Sequence, residues 1–331
     1  MNDLRELVLA WSREGALPRE HLNEALRIAG VTPSPEQWRA FVERLLLWLG
    51  AVLIAAAATY FVAANWHGLG RYAKFALVEG ALVAAVAVAW WRGLDSLAGR
   101  AALFAAALVT GVLLALVGQV YQTGADTYEL FAWWALFIVP WVVVGRQPAL
   151  WMLLVALIDV AIVLYFRTSV ARGVDALDLL FSSQRPLWIV TGFNAIALIA
   201  WEAAAAAFGG WCAVRWAPRL LATAVGAALT FLAVRSVFDS WENVRIASLV
   251  AYAAFAAAMY LAYRVRTLDL VMLAGLVASA IAFAAFVFGR AVVPSGGIVA
   301  FLLIAILIAG SAAGAAHWLR RLASQAREEA Q

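Results

Sequence analysis

The sequence contains little charge and almost no cysteine, lysine or histidine. Only 13% of its 331 residues are charged and 66% are hydrophobic, whereas soluble domains are about 25% charged and about 45–50% apolar. The single cysteine, Cys212, excludes an intrachain disulfide and argues against a cysteine-based metal site. The three histidines lie far apart along the chain. We therefore expect neither a cofactor nor a metal centre.

Sequence motifs of enzymes are also absent. There is no glycine-rich phosphate loop with a lysine, no His-Glu-x-x-His and no Gly-x-Ser-x-Gly. No catalytic residue is assigned, and we do not expect an enzyme. The net charge of +4 comes from arginines that flank apolar runs, so it predicts membrane topology rather than binding to nucleic acid.

The apolar residues are concentrated in long uncharged runs. A run of about 18 or more apolar residues is long enough to cross a bilayer as a helix. The sequence therefore predicts an all-α fold, a polytopic transmembrane helix bundle of about ten spans in a lipid bilayer. The predicted span cores are 45–64, 72–91, 101–120, 129–145, 149–166, 187–208, 219–238, 246–263, 268–288 and 297–318.

The chain divides into five predicted regions. The N-terminal region has apolar residues at helical spacing and a Ser-Pro-Glu-Gln helix start, which predicts a small amphipathic helical hairpin. The regions are a cytoplasmic hairpin (1–43), a first membrane region of about five spans (44–170), an extracytoplasmic loop (171–186), a second membrane region of about five spans (187–318) and a cytoplasmic tail (319–331).

Basic residues predict the orientation of the bundle. With the N-terminus inside, the cytoplasmic segments hold 16 arginines and lysines and the opposite side holds 8. Cytoplasmic loops carry the excess of basic residues in membrane proteins. Both termini are therefore expected in the cytoplasm.

Polar residues gather where the third predicted span ends, in the stretch VGQVYQTGADTYELFAWW at 117–134. Gln119 and Gln122 are spaced i, i+3 and would share a helix face. An amide just inside the membrane boundary is costly unless it finds a helix partner, water or a ligand. The first span ends on the same side, and the second span enters from it. The predicted ligand-binding pocket contains Asn65, Trp66, Glu79, Gln119, Tyr121 and Gln122.

The same stretch also has a purely structural interpretation. Gly124 can end the third span in a left-handed turn, and Asp126 can cap the fourth span with Glu129 completing a capping box. Trp133 and Trp134 fit the aromatic belt at the lipid headgroups. Hydrogen bonds between helices would then account for the glutamines.

Ionisable residues inside spans are a second source of candidates, because they often mark ion pathways. Asp159 falls near the middle of the fifth predicted span, and Glu202 lies nearer the cytoplasmic end of the sixth. Both are candidate proton or ion relays. A hydrogen bond to a neighbouring helix is an equally good interpretation of Asp159.

The charged hairpin with EGALPREHLNEAL, the first span ending in AANW and the third ending in GQVYQTGAD resemble a bacterial family of predicted multi-pass membrane proteins. That family is catalogued as a domain of unknown function. The resemblance covers about residues 1–170 and implies a protein of the bacterial cytoplasmic membrane. It supplies no functional residues, and 187–331 resembles the family only in its hydrophobic helices.

The leading hypothesis is a protein that binds or passes a small polar solute or ion through an outward-facing polar pocket. The alternative is an interaction or sensory subunit that docks a cytoplasmic protein partner through residues 1–43. A membrane-embedded enzyme is the third interpretation, and its candidate residues are Asp175 and Asp178 in the longest loop.

Overall fold

A computed structural model describes residues 2–28, 35–43, 45–46, 60, 64, 66–171, 184–238 and 242–328. Within these residues the regular structure is helical throughout, as the apolar runs predict. Nine helices in the described residues are long and apolar enough to cross a membrane. The all-α, multi-span fold is therefore confirmed.

The chain forms two units, and the first is Met1–Lys74. It contains α1 (Asn2–Arg13) and α2 (Leu22–Ile28), which contact each other. Gly15 ends the first helix with a φ of 76°, a conformation that suits glycine. Residues 35–43 are also helical.

The second unit, Phe75–Gln331, holds most of the membrane region. Its first helix begins four residues before the boundary of the unit. The helices are α3 (Arg71–Arg92), α4 (Leu97–Tyr121), α5 (Thr127–Gly145), α6 (Pro148–Ala171), α7 (Arg185–Phe208), α8 (Trp216–Phe238), α9 (Glu242–Tyr260) and α10 (Leu270–Glu328). A π-helical segment, Leu261–Arg266, extends α9.

Helix α8 is the centre of the second half of this unit. It packs against α7, α9 and α10. Its buried residues recur every three or four positions, as in Leu221, Val225, Leu229 and Leu232, so one apolar stripe faces its neighbours. The first half is built by consecutive packing of α4 on α5, α5 on α6 and α6 on α7.

The nine helices coincide with the second to tenth predicted spans. The first predicted span, 45–64, falls almost entirely outside the described residues. The last two spans, Leu270–Val293 and Gly296–Gln325, are two helices within the range given for α10, and they meet at a kink where Gly297 has a non-helical backbone with a φ of 47°. The second of them continues to Glu328, through most of the predicted tail.

Candidate functional site

The predicted polar stretch at the end of α4 has a different local geometry from the one expected. The helix ends at Tyr121, and Gln122 takes the left-handed conformation with a φ of 45°. The prediction that Gln119 and Gln122 share a helix face is therefore wrong. The left-handed position comes two residues before Gly124, which also has a positive φ.

The polar side chains of this stretch have few contacts within the described residues. Glu79, Gln119 and Gln122 are exposed, and the described part of the chain offers them no hydrogen bond or ion pair. Tyr121 is also exposed, and its ring lies 6.0 Å from the ring of Phe75. A pocket built from these residues thus stays a prediction.

The two remaining pocket candidates lie in the first unit. Asn65 is outside the described residues. Trp66 begins a short 3₁₀ helix, Trp66–Gly68. The ammonium group of Lys74 lies 4.9 Å from the centre of the Trp66 indole ring, a cation–π contact.

Trp134, which we predicted in the aromatic belt, makes a contact between α5 and α4 that we had not predicted. Its ring packs on Gly111 of α4, and its Nε1–H donates to the carbonyl oxygen of Ala107 at 2.8 Å. A polar indole nitrogen that is partly buried needs such a partner.

Asp126 is the N-cap residue of α5 as predicted, but its side chain makes no capping hydrogen bond.

Asp159 meets an amide near the middle of the membrane region. It lies halfway along α6, and both of its carboxylate oxygens accept from Asn194 Nδ2 of α7 at 2.8 Å. The Asn194 side chain is buried and also donates to the carbonyl oxygen of Val190. The described contacts of Asp159 include no cationic side chain. The carboxyl is therefore held in place without being neutralised by a fixed positive charge.

Glu202, the second relay candidate, is part of a charged network at the α7–α8 and α9–α10 connections of the bundle. Both of its carboxylate oxygens accept from Arg215 Nη1, at 3.1 and 3.2 Å. Its Oε1 also accepts from the hydroxyl of Tyr263 at 2.7 Å. The arginine gives Glu202 the fixed counter-ion that Asp159 lacks.

Asp269 closes the other side of the same network. Its Oδ2 accepts from Arg215 at 3.0 and 3.2 Å and from Arg219 at 3.2 Å. Its Oδ1 accepts from the backbone N–H groups of Val271 and Met272, so it caps α10. Burial by itself raises the pKa of the Asp269 carboxyl, but the hydrogen bonds from Arg219 and Arg215 outweigh burial and hold this pKa below its usual range.

The network ties together elements that are far apart in sequence. Arg215 precedes α8, Asp269 precedes α10, Glu202 lies late in α7, and Tyr263 belongs to the π-helical segment after α9. Two positive and two negative charges balance within it, so its salt bridges have the arrangement expected of a structural contact between helices. We had not predicted Asn194 or any partner of Glu202. Asp269 does carry a local signal, an aspartate just before an apolar run.

A groove along the central helix α8 is lined by two residues, Thr230 and Ser279, of a further polar cluster. Thr230 of α8 and Ser279 of α10 share a hydrogen bond of 2.6 Å, and the hydroxyls of Ser279 and Tyr252 lie 3.0 Å apart. The groove has a volume of about 630 Å³, and its other walls are mainly apolar, with Arg219 at one end.

Across the described residues, no three histidine, cysteine, aspartate or glutamate side chains could hold a metal ion.

The described architecture defines the class of protein: a multi-pass, all-α membrane protein. Residues 9–151 match the family described as "Predicted membrane protein (DUF2157)". This match confirms the resemblance found in the sequence and covers less than half of the chain. No curated protein and no solved structure matches the chain.

Proposed function

We propose that this membrane protein binds or passes a small polar solute or ion, with Asp159 as its proton- or cation-binding group. We place it in the bacterial cytoplasmic membrane with both termini in the cytoplasm, as the distribution of arginines favours. The observation that carries the proposal is the Asp159–Asn194 pair halfway along two neighbouring apolar helices.

A carboxyl group in the hydrocarbon region is costly, and such groups are characteristic of ion and proton pathways. The amide nitrogen of Asn194 has two hydrogens, so one can donate to the carbonyl oxygen of Val190 while the other is shared between the two oxygens of Asp159, whose other lone pairs remain available. A proton, a cation or water can therefore be exchanged at the carboxyl without breaking a salt bridge. This distinguishes Asp159 from Glu202, which an arginine already neutralises.

The route to Asp159 would begin at the predicted outward-facing pocket of Asn65, Trp66, Glu79, Gln119, Tyr121 and Gln122. The amides would offer neutral hydrogen bonds to a solute, and Glu79 would offer a charge. The exposed side chains of Glu79, Gln119 and Gln122 are compatible with this use.

Asp159→Asn tests the proposal. The substitution keeps a hydrogen bond to Asn194 but removes the group that titrates. The purified protein would be reconstituted in liposomes, and the decay of imposed proton, Na⁺ and K⁺ gradients would be followed with indicator dyes. We expect wild type to speed the decay of at least one gradient and Asp159→Asn to reduce that effect about tenfold or more.

Thr191→Val is the matched control, because Thr191 lies one turn from Asn194 and, among the described residues, its hydroxyl donates to the carbonyl oxygen of Leu187 in its own helix and to no other group. It should retain the wild-type flux. Equal flux through wild type and Asp159→Asn would refute the role of the carboxyl. A wild-type protein that leaves all three gradients unchanged would also count against it.

A second candidate function is docking of a cytoplasmic protein partner through residues 1–43. The observation in its favour is a set of exposed aromatic rings in the first unit. Trp11 is 48% exposed, and Trp38 and Phe41 are each 55% exposed while packing edge to face at 5.7 Å. Such rings dominate protein interfaces when they are buried by a partner. Trp38→Ala with Phe41→Ala should then release a co-purifying protein that wild type retains, and an unchanged set of partners would exclude this role.

A further inference from the structure

Three connections of the bundle surround a polar cavity of about 760 Å³. They are the α3–α4, α5–α6 and α7–α8 connections, which lie at one end of the second unit. The cavity is lined by Leu94, Asp95 and Arg100, by Val143–Arg146 and by Trp211. Its lining residues thus include two arginines and one aspartate.

The backbone around the two arginines is held by partly buried hydrogen bonds. Gln147 is buried, and its Nε2 donates to the carbonyl oxygen of Arg100 at 3.2 Å. This bond ties the residue that follows Arg146 to the first turn of α4. Ser96 caps that same turn by accepting from the N–H of Gly99 at 2.9 Å. The two arginines are therefore carried by connections that are held together before any ligand arrives.

Among the residues that the structure describes, however, their guanidinium groups have no anionic partner. The Arg100 guanidinium donates there to the carbonyl oxygen of Asp95, at 3.4 Å, and Arg146 makes no ion pair with any described residue. Arg215, in the α7–α8 connection, and Arg219, in the first turn of α8, by contrast each form a salt bridge with Asp269, and Arg215 forms a second one with Glu202. The cavity therefore presents donors that the described residues do not satisfy with an anionic group.

We infer that this cavity binds a phosphate group through Arg100 and Arg146. A guanidinium presents a planar fork of donors that matches two phosphate oxygens, and two such forks can hold one phosphate. Basic pockets between helices at a membrane surface are typical sites for lipid headgroups. Asp95 leaves the cavity with one excess positive charge and can accept from a hydroxyl or ammonium group on the phosphate ester.

The Trp211 wall of the cavity is equally fixed. Its ring stacks on Trp151 at 6.1 Å and meets Trp201 edge to face at 5.7 Å. Trp201 in turn donates to the carbonyl oxygen of Cys212 at 3.0 Å.

The phosphate could belong to a phospholipid headgroup or to a soluble ion, and both sources share the same recognition chemistry.

The test compares wild type with Arg100→Gln/Arg146→Gln. The control is Arg264→Gln/Arg266→Gln, which removes the same charge from residues that do not line the cavity. The full-length protein in neutral detergent would be titrated with phosphatidylglycerol and with phosphatidylcholine, and bound lipid would be counted by native mass spectrometry. Inorganic phosphate would be titrated separately by thermal shift, against chloride at equal ionic strength.

For a lipid headgroup, we expect wild type to retain a phospholipid and the cavity variant to bind it about tenfold or more weakly, while the control retains wild-type affinity. For a free phosphate, the same pattern should appear only in the thermal-shift titration with inorganic phosphate. If the cavity variant fails to fold, Arg146→Lys replaces it, because lysine keeps the charge but loses the fork and should still weaken binding. Equal weakening in the cavity and control variants, or no binding of either probe to wild type, would overturn the inference.

Discussion

Glu202 and Asp269 in the second half of the membrane region each bind an arginine, whereas Glu79 and Gln119 in the first half bind no side chain within the described residues. The paired carboxylates join helix ends and stabilise the fold. The polar groups of the first half need another partner, such as a ligand or water. The family match, at 9–151, covers the half in which those groups lie. Three substitutions can break or sharpen this contrast.

Asp269→Asn should have the largest effect on stability. It removes a carboxylate that is only 4% exposed and leaves Arg215 and Arg219 without their shared partner. Because both arginines are more than a third exposed, water offsets part of the lost interaction. We expect the free energy of unfolding to fall by about 2–3 kcal/mol. Thermal or guanidinium unfolding in detergent would measure it. Asp95→Asn is the control and should change stability by less than about 0.5 kcal/mol; equal losses would contradict the network.

The Asp269 carboxylate also predicts that the stability of the fold depends on pH in the acid range. The pKa of Asp269 in the folded state lies below its ordinary value of 3.8. Its contribution to stability is therefore complete above that value and is lost as the pH falls through the lower, folded-state pKa. The difference in stability between wild type and Asp269→Asn should shrink below about pH 4. A difference that stays constant down to pH 2 would show that the charge is not its source.

Gly111→Ala should have the second-largest effect, in the first half. A methyl group at this position would collide with the Trp134 ring, whose indole bonds α5 to α4. Overpacking of this kind costs about 1–3 kcal/mol. Gly118→Ala in the same helix has open space around the new methyl group, so it should leave the melting temperature unchanged or raise it. Equal destabilisation by the two substitutions would contradict the packing of Trp134 on Gly111.

Gln119→Ala should have the smallest effect, below about 0.5 kcal/mol, because the side chain is exposed and supports no described contact. Gln147→Ala is its counterpart, since it removes a buried hydrogen bond to Arg100 and should cost about 1–2 kcal/mol. In a thermal-shift screen of ions, sugars and amino acids, a ligand at 100 times its Kd adds about 2.7 kcal/mol. Loss of such a shift in Gln119→Ala alone would assign the glutamine to the pocket, and strong destabilisation by Gln119→Ala would assign it to the fold.

The architecture was predictable because it depends on short-range patterns. An apolar run of bilayer length forms a helix wherever it stands, so the second to tenth predicted spans coincide with described helices. The contacts between helices were harder to predict. Arg215 and Asp269 are 54 residues apart, and nothing in the spacing of two charges at span ends says that they meet.

Two details of local conformation could not be predicted from the sequence pattern either. A glycine is the usual left-handed residue at a helix end, so Gly124 was the natural choice, yet Gln122 takes that position first. Trp134 looks like a belt residue from its place near a span end. Only the glycine opposite it, 23 positions earlier, creates the space that its ring fills. Such fits depend on which helix faces meet, and one sequence does not encode this in any short window.

The Asp159–Asn194 pair also has a consequence for biosynthesis. A ribosome that adds about 5–20 residues per second delivers Asn194, 35 residues later, about 2–7 s after Asp159. If α6 enters the bilayer alone during that interval, its aspartate costs about 2.5–3.5 kcal/mol at mid-helix on insertion scales. The leucine, valine and isoleucine side chains around it must supply this free energy by themselves. Asn194 then donates its hydrogen bond to an aspartate whose helix is already inserted, so the pair forms in the order in which its two helices are translated.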